Sequence, residues 1–239
     1  MGDAACWILD VRYRWLTILK FDSPIRNMTN FIPLFPLGLV VYPGEKLNLH
    51  IFEPRYKQLV KDCVAGAKPF GIPAVISDKV SEMGTLVHIT EVSKEYDDGT
   101  MDIKTQGESV FKILEVVKDL PDKLYSGAIV TYPGDHPKKS PAKMKIILQG
   151  IRALHERLGV TKDFGKADLE LISFDVAHHA GLSIDDEYRL LELPQELQRE
   201  EFLKRHLTKV LPIMEHMDLL KGKIKMNGHF KNLEGFKFN

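Results

Sequence analysis

The sequence predicts an α+β chain with a β-rich first part followed by a helical second part. Three observations predict it. From Phe31 to Tyr132 the apolar residues fall in short runs or alternate with polar ones, and Pro or Gly turns punctuate them. From Ser140 onward they recur at three- and four-residue spacing. Between the two lies Pro133-Gly134-Asp135-His136-Pro137-Lys138-Lys139, a polar segment with the composition of a linker.

The β-rich part begins with Phe31-Ile32-Pro33-Leu34-Phe35-Pro36-Leu37, whose two prolines suit the edge of a sheet. Leu39-Val40-Val41-Tyr42 reads as a strand running into the Pro43-Gly44 turn. Leu47, Leu49 and Ile51 alternate with Asn48, His50 and Phe52, an extended pattern with one face inward. A helix interrupts the strands. Pro54 suits its first turn and Glu53 its positively polarised end. Tyr56, Leu59, Val60 and Cys63 form one inward stripe, and Gly66 is placed to end the helix.

Strands are expected again at Phe70–Ile76, around Leu86–Thr90, at Met101–Gln106, Val110–Val117 and Tyr125–Tyr132, with Asp97-Asp98-Gly99 as a hairpin turn. So many short strands suggest a small barrel or two packed sheets. Ser140-Pro141 starts a helix with the stripe Met144, Ile147, Leu148, Ile151, Leu154 and Leu158, closed by Gly159. Further helices are expected over 166–180, from Ser183 to Leu193, and from Pro194 onward, where Pro212 should kink or break the last one. Residues 223–239, with Phe230, Phe236 and Phe238, read as a flexible tail. Residues 1–30 read as an N-terminal extension. Either the native start is Met28, the reading preferred here, or the extension packs through Trp7 and Trp15.

Composition narrows the function. Thirty-three basic and 33 acidic residues give no net charge, hence no general field to draw in nucleic acid or an anionic membrane. No apolar run approaches the ~20 residues that cross a bilayer, and Asp10, Arg12 and Arg14 interrupt the N-terminal stretch that would otherwise suggest a signal sequence. Cys6 and Cys63 are the only cysteines, too few for a disulfide framework. The protein is therefore expected to be cytoplasmic.

No chemistry-bearing motif stands out. His178 and His179 are adjacent and diverge by about 100° on a helix, and no His-Glu-x-x-His segment exists. His206 and His216 lie ten apart on the helix that Pro212 interrupts. The segment from Gly134 to Ser140 lacks the second glycine of a phosphate loop. No Gly-x-Ser-x-Gly elbow occurs, and Cys63 falls on an inward stripe. We expect no catalytic residue, no metal and no cofactor.

The run Ile32-Pro33-Leu34-Phe35-Pro36-Leu37, then Val40-Val41-Tyr42-Pro43-Gly44-Glu45, then Leu49-His50-Ile51-Phe52-Glu53-Pro54-Arg55-Tyr56 resembles the opening of the Lon protease N-terminal substrate-binding domain. Gly84-Thr85, Asp98-Gly99, Gln106-Gly107 and Phe111-Lys112-Ile113 follow in that family's order, although Ser109-Val110-Phe111 lacks the arginine often found before the Phe. The resemblance spans about residues 31–220. It implies a PUA-like β pseudo-barrel (31–133) followed by a C-terminal helical bundle (140–222). It also implies a module that binds unfolded or tagged proteins and peptides; we expect no ATPase or peptidase domain here, so that the module acts as an adaptor or quality-control factor beside a protease or chaperone. His50, Phe52 and Arg55 are the candidates to line a peptide groove. The preferred reading of the same motif is structural: Glu53 and Pro54 set the helix start, Tyr56 packs inward, and Arg55 pairs with a nearby carboxylate. Two other functions remain open: RNA binding, suggested by PUA-like barrels elsewhere and by Lys138, Lys139, Lys143 and Lys145, and a small-molecule enzyme with its site between the two parts.

Overall fold

The computed structural model describes residues 30–230, so the readings of residues 1–27 and of the last nine residues lie outside it. Six strands, β1 (Asn30–Pro33), β2 (Lys46–Ile51), β3 (Phe70–Ile76), β4 (Lys79–Glu95), β5 (Met101–Val117) and β6 (Gly127–Thr131), form one antiparallel sheet in a mixed α/β fold. Its order is β1-β6-β5-β4-β3, and β2 pairs with the first part of β5 beside that path. The chain leaving β1 makes parallel bridges from Leu34 and Leu37 to Gly71 and Ala74, tying the β1 end of the sheet back to β3.

Helix α1 (Pro54–Gly66) buries the expected stripe of Tyr56, Leu59, Val60 and Cys63 against Phe35, Ile51, Phe70 and Ile103. Its end differs from expectation. Gly66 is the last helical residue, and Ala67 takes the left-handed position with φ 46°. Burial pushes the Cys63 thiol up to about 11, with the Asp62 charge adding to it, so it is protonated at neutral pH.

Two strand assignments change. Leu39–Tyr42 is a loop, not a strand: Leu39 is exposed, Val40, Val41 and Tyr42 are buried, and the Thr85 hydroxyl satisfies the Val41 carbonyl in place of a ladder bond. The two strands expected at Met101–Gln106 and Val110–Val117 are one, β5, because Gly107 lets the strand run past that loop. A Cβ there would stand 2.3 Å from the Tyr42 carbonyl oxygen.

The second part contains α2 (Pro141–Leu158), α3 (Ser173–Val176), a 3₁₀ turn (Ala177–His179), α4 (Ile184–Glu192) and α5 (Glu196–Phe230). Ser140 caps α2 by accepting from the Lys143 N–H, and Gly159 closes it in the left-handed conformation. Met144, Ile147, Leu148, Ile151 and Leu154 are buried as expected, but Leu158 stays 58% exposed. Ser183 caps α4 through the Asp186 N–H.

One expectation fails here. The helix over 166–180 shrinks to α3 and one 3₁₀ turn, since Leu169 faces solvent and the Ile172 and Ser173 N–H groups are taken by Asp175 and Glu196 side chains. α5 continues through Pro212 without a break. Thr208, whose carbonyl loses its partner, and Pro212 are both exposed, so water can reach the freed group. The helix extends to Phe230, so residues 223–230 belong to α5. No helix among the described residues is long and apolar enough to cross a membrane.

Val40, Tyr42, Ala74 and Met83 from the first part pack into the same core as Ile147, Ile151, Leu190 and Leu203 from the second. The segment between the parts is pinned as well: His136 and the start of α5 exchange backbone bonds (His136 to the Pro194 carbonyl, Glu196 to the His136 carbonyl), and Asp135 pairs with Arg199.

Candidate functional site

The alternation along β2 turns His50 outward while Ile51 goes into the core. The cross-strand register sets His50 opposite Asp102 of β5, which in turn is opposite Lys94 of β4. The three strands therefore deliver three polar side chains to one end of the sheet. His50 Nδ1 lies 2.6 Å from Asp102 Oδ1, and the Tyr96 hydroxyl donates to Asp102 Oδ2 at 2.8 Å. These two bonds hold the Asp102 carboxyl below its usual range. Lys94 Nζ lies over the Tyr96 ring at 4.3 Å from its centroid.

Phe52 follows β2 directly, where the chain turns into α1. It is 62% exposed, its ring roughly parallel to the His50 imidazole (25°, centroids 6.3 Å apart), and Tyr96 meets that imidazole edge-on. An exposed phenyl, an imidazole and a phenol thus share one surface. Its carboxylate already has hydrogen bonds on both oxygens, and the only side chain bonded to the His50 ring is Asp102 among the described residues. Such a surface offers aromatic contact area and hydrogen-bonding edges for binding.

Arg55 is engaged elsewhere. Its guanidinium donates to Glu53 at 2.8 Å and lies over the Tyr56 ring, 4.5 Å from the centroid. Glu53 occupies the N-cap position of α1 without a side-chain cap bond, Pro54 is the first helical residue, and Tyr56 is buried with its ring 4.0 Å from that of Phe35. The structure thus brings His50 and Phe52 together and turns Arg55 toward its own helix start. Tyr96, Asp102 and Lys94 were not singled out from the sequence. The Asp97-Asp98-Gly99 turn was the available signal, since a hairpin there must bring Tyr96 and Asp102 close.

The junction of the two parts holds a second polar cluster. His178 contacts Glu187 of α4 at 2.7 Å and Glu45 of the turn before β2 at 3.2 Å, and its ring packs on Tyr42. Burial draws its pKa down, but the hydrogen bonds and charges of the two glutamates outweigh that and push it up to about 9. His179 turns away, edge-on to His155 and Phe164, so the adjacent histidines diverge as their spacing requires. His206 bonds the Ala180 carbonyl.

A cleft of about 490 Å³, its open mouth included, lies at this junction between Pro43, Met83, Val110, Phe174 and Leu191, with Arg199 at its base. Arg199 is largely engaged within the protein: it is bonded to Ser173, Glu196, the Leu193 carbonyl and Asp135. Of the four lysines by the connecting segment, Lys143 pairs with Glu201, which offsets one of the four charges, and Lys139 donates to the Leu169 carbonyl.

Comparison with known proteins gives the kind of domain that this mixed α/β fold belongs to. The chain belongs to the family of the ATP-dependent protease La (LON) substrate-binding domain, whose model matches residues 32–209. What matches is that binding domain, not a catalytic one. Among solved structures it is similar to the Lon N-terminal domain protein from Xanthomonas campestris, with 23% identity and a TM-score of 0.57, covering 73% of this chain and 96% of that one. It is also similar to the N-terminal domain of the Mycobacterium avium complex Lon protease, with 13% identity and a TM-score of 0.54, covering 75% of this chain and 98% of that one. These likenesses extend the match to the fold.

Proposed function

We propose that this protein binds polypeptide clients and carries out no chemistry on them, serving as an adaptor or quality-control factor for a protease or chaperone in the cytoplasm. Membership of the Lon substrate-binding family over residues 32–209 carries this reading. The surface formed by His50, Phe52 and Tyr96 supports it, because an exposed ring flanked by hydrogen-bonding edges suits apolar and aromatic side chains of an unfolded chain. In this reading the curled sheet acts as a PUA-like pseudo-barrel that presents the surface, and the helical part acts as its support.

Reduced, carboxymethylated lactalbumin, which cannot refold, is the test ligand. Its labelled form should bind saturably in fluorescence anisotropy and be displaced by unlabelled material. Phe52→Ala should weaken binding by about five- to tenfold, the loss typical of an exposed aromatic anchor. The absence of any saturable signal with the wild-type protein would refute the reading, and so would cleavage of the ligand by the purified chain.

A further inference from the structure

Two stretches of strand have an open side among the described residues. β4 loses its β3 neighbour after the Phe70–Val87 pair, leaving His88–Glu95 bonded only to β5. β2 pairs with β5 alone. The two edges differ in kind. Register shifts interrupt the β4 edge between Ile89 and Glu91 and again between Val92 and Lys94, and it carries Glu91, Lys94 and Glu95. Bulges and charges are the usual devices by which an edge refuses another strand. β2 has no such interruption: its six residues pair one for one with residues 106 to 101 and include no proline.

The register tells which backbone groups of β2 are open. The Gly107 N–H donates to the Glu45 carbonyl at 2.8 Å and the Gly107 carbonyl accepts from the Gly44 N–H at 2.9 Å, so both backbone groups of Gly107 bond to the chain entering β2, with Gly44 as a one-residue bulge. Antiparallel pairs alternate, so Leu47, Leu49 and Ile51 bond to Thr105, Ile103 and Met101. The N–H and C=O groups of Lys46, Asn48 and His50 therefore point away from β5. All three residues are exposed, and no backbone bond outside the strand ladders reaches them among the described residues. Leu47 and Leu49 face the core beneath α1 yet stay only partly buried, as inward side chains of an uncovered edge do.

We propose that the outer edge of β2 takes up its client as an added extended strand, paired to the backbone groups of Lys46, Asn48 and His50. This rests on the polypeptide-binding reading and specifies how the binding is made. The occupant is an extended segment of unfolded polypeptide with apolar residues at alternate positions, because only an extended backbone matches the spacing of the open donors and acceptors. Its apolar side chains continue the cover over Leu47 and Leu49, and the segment runs on past His50 and Phe52. Recognition through the backbone tolerates many sequences, as clients without a common motif require.

Proline at position 48 removes an outward N–H without breaking a β2–β5 bond, a substitution that edge strands accommodate. Asn48→Pro is compared with Asn48→Ala, which keeps the N–H, so the difference reports the backbone group. With circular dichroism and thermal midpoint confirming the fold, the proline variant should bind carboxymethylated lactalbumin at least about tenfold more weakly than the alanine variant. Independently, NMR-detected hydrogen exchange of the wild-type protein should show ligand-induced protection of the Lys46, Asn48 and His50 amides, with Leu49 and Ile51 protected already. Equal binding by both variants, or protection appearing on residues 88–95 instead, overturns the edge assignment and leaves the binding reading standing. Protection of the same amides by raised protein concentration alone makes the occupant a second copy and overturns the client assignment. If the wild-type protein does not bind the ligand, both fall.

Discussion

Replacing Arg199 by Met tests the packing of the helical part more severely than any surface change. The Arg199 side chain is 3% exposed and that of Glu196, its ion-pair partner at 3.0 Å, is 1% exposed. Met fills much of the same volume but leaves Glu196 without its cation, and breaking a buried pair on one side costs about 3–5 kcal/mol. Two features shift the value in opposite directions. Glu196 keeps the Ser173 N–H and hydroxyl, both at 2.7 Å, which moderates the loss. The Leu193 carbonyl loses a 2.7 Å donor, and the Phe174 ring loses the guanidinium 4.2 Å above it, which add about 1–3 and 0.5–2 kcal/mol and overlap with the first figure. The Asp135 contact adds little, since that carboxylate is mostly in water. A net destabilisation of about 3–5 kcal/mol is expected, a large share of a typical domain's stability of about 5–15 kcal/mol. Urea unfolding followed by far-UV circular dichroism reads it as a fall in midpoint at unchanged slope. The double variant Glu196→Gln/Arg199→Met removes the stranded charge while leaving Ser173 a partner, so it should be more stable than Arg199→Met alone. A cost below about 1 kcal/mol for the single variant, or strict additivity in the double, would refute the argument.

Other consequences follow from the same geometry. His178 has its folded pKa raised from 6.5 to about 9, so its contribution is complete below about pH 6.5 and disappears as pH rises through about 9. With a third of the side chain in water, screening reduces this to about 1–2 kcal/mol. His178→Gln should flatten the decline in stability between those pH values, as measured by thermal melts across the range. Ala67→Gly should stabilise, because a left-handed alanine costs about 1–2 kcal/mol and the added freedom of the unfolded chain returns only part of that. The expected gain of about 0.5–1 kcal/mol appears as a rise of a few degrees in Tm. Gly107→Ala should cost about 1–3 kcal/mol, since a Cβ 2.3 Å from the Tyr42 carbonyl forces one backbone to move, and hydrogen exchange should quicken around Gly44 and Glu45.

Much of this molecule could be read from local pattern. β2, α1, β3, α2 and α4 fall where alternation, helical stripes and caps set them, because each depends on residues only a few positions apart. Where the reading failed, distant partners had decided. The Leu39–Tyr42 loop has the composition of a strand, but Thr85, 44 positions from Val41, supplies the bond a strand would have made. The segment before Ser173 has helix-forming residues, yet Glu196 takes the N–H that a longer helix would use. The candidate surface is divided in the same way. His50 and Phe52 were visible because the family's motif runs through them, whereas Tyr96, Asp102 and Lys94 join them only through the register of β4 and β5.

The sequence by itself determined the order of β-rich and helical parts, the inward stripe of α1, the caps of α2 and α4, and the family to which the domain belongs. Periodicity, capping and motif are short-range properties that the chain carries whether or not it is folded. Only the tertiary structure decided that Arg199 is buried against Glu196, that His178 joins Glu45 to Glu187, and that β2 keeps one open edge among the described residues. Those outcomes depend on strand register and on which surfaces exclude water, and both are settled when residues far apart in the chain compete for the same hydrogen bonds and the same buried space.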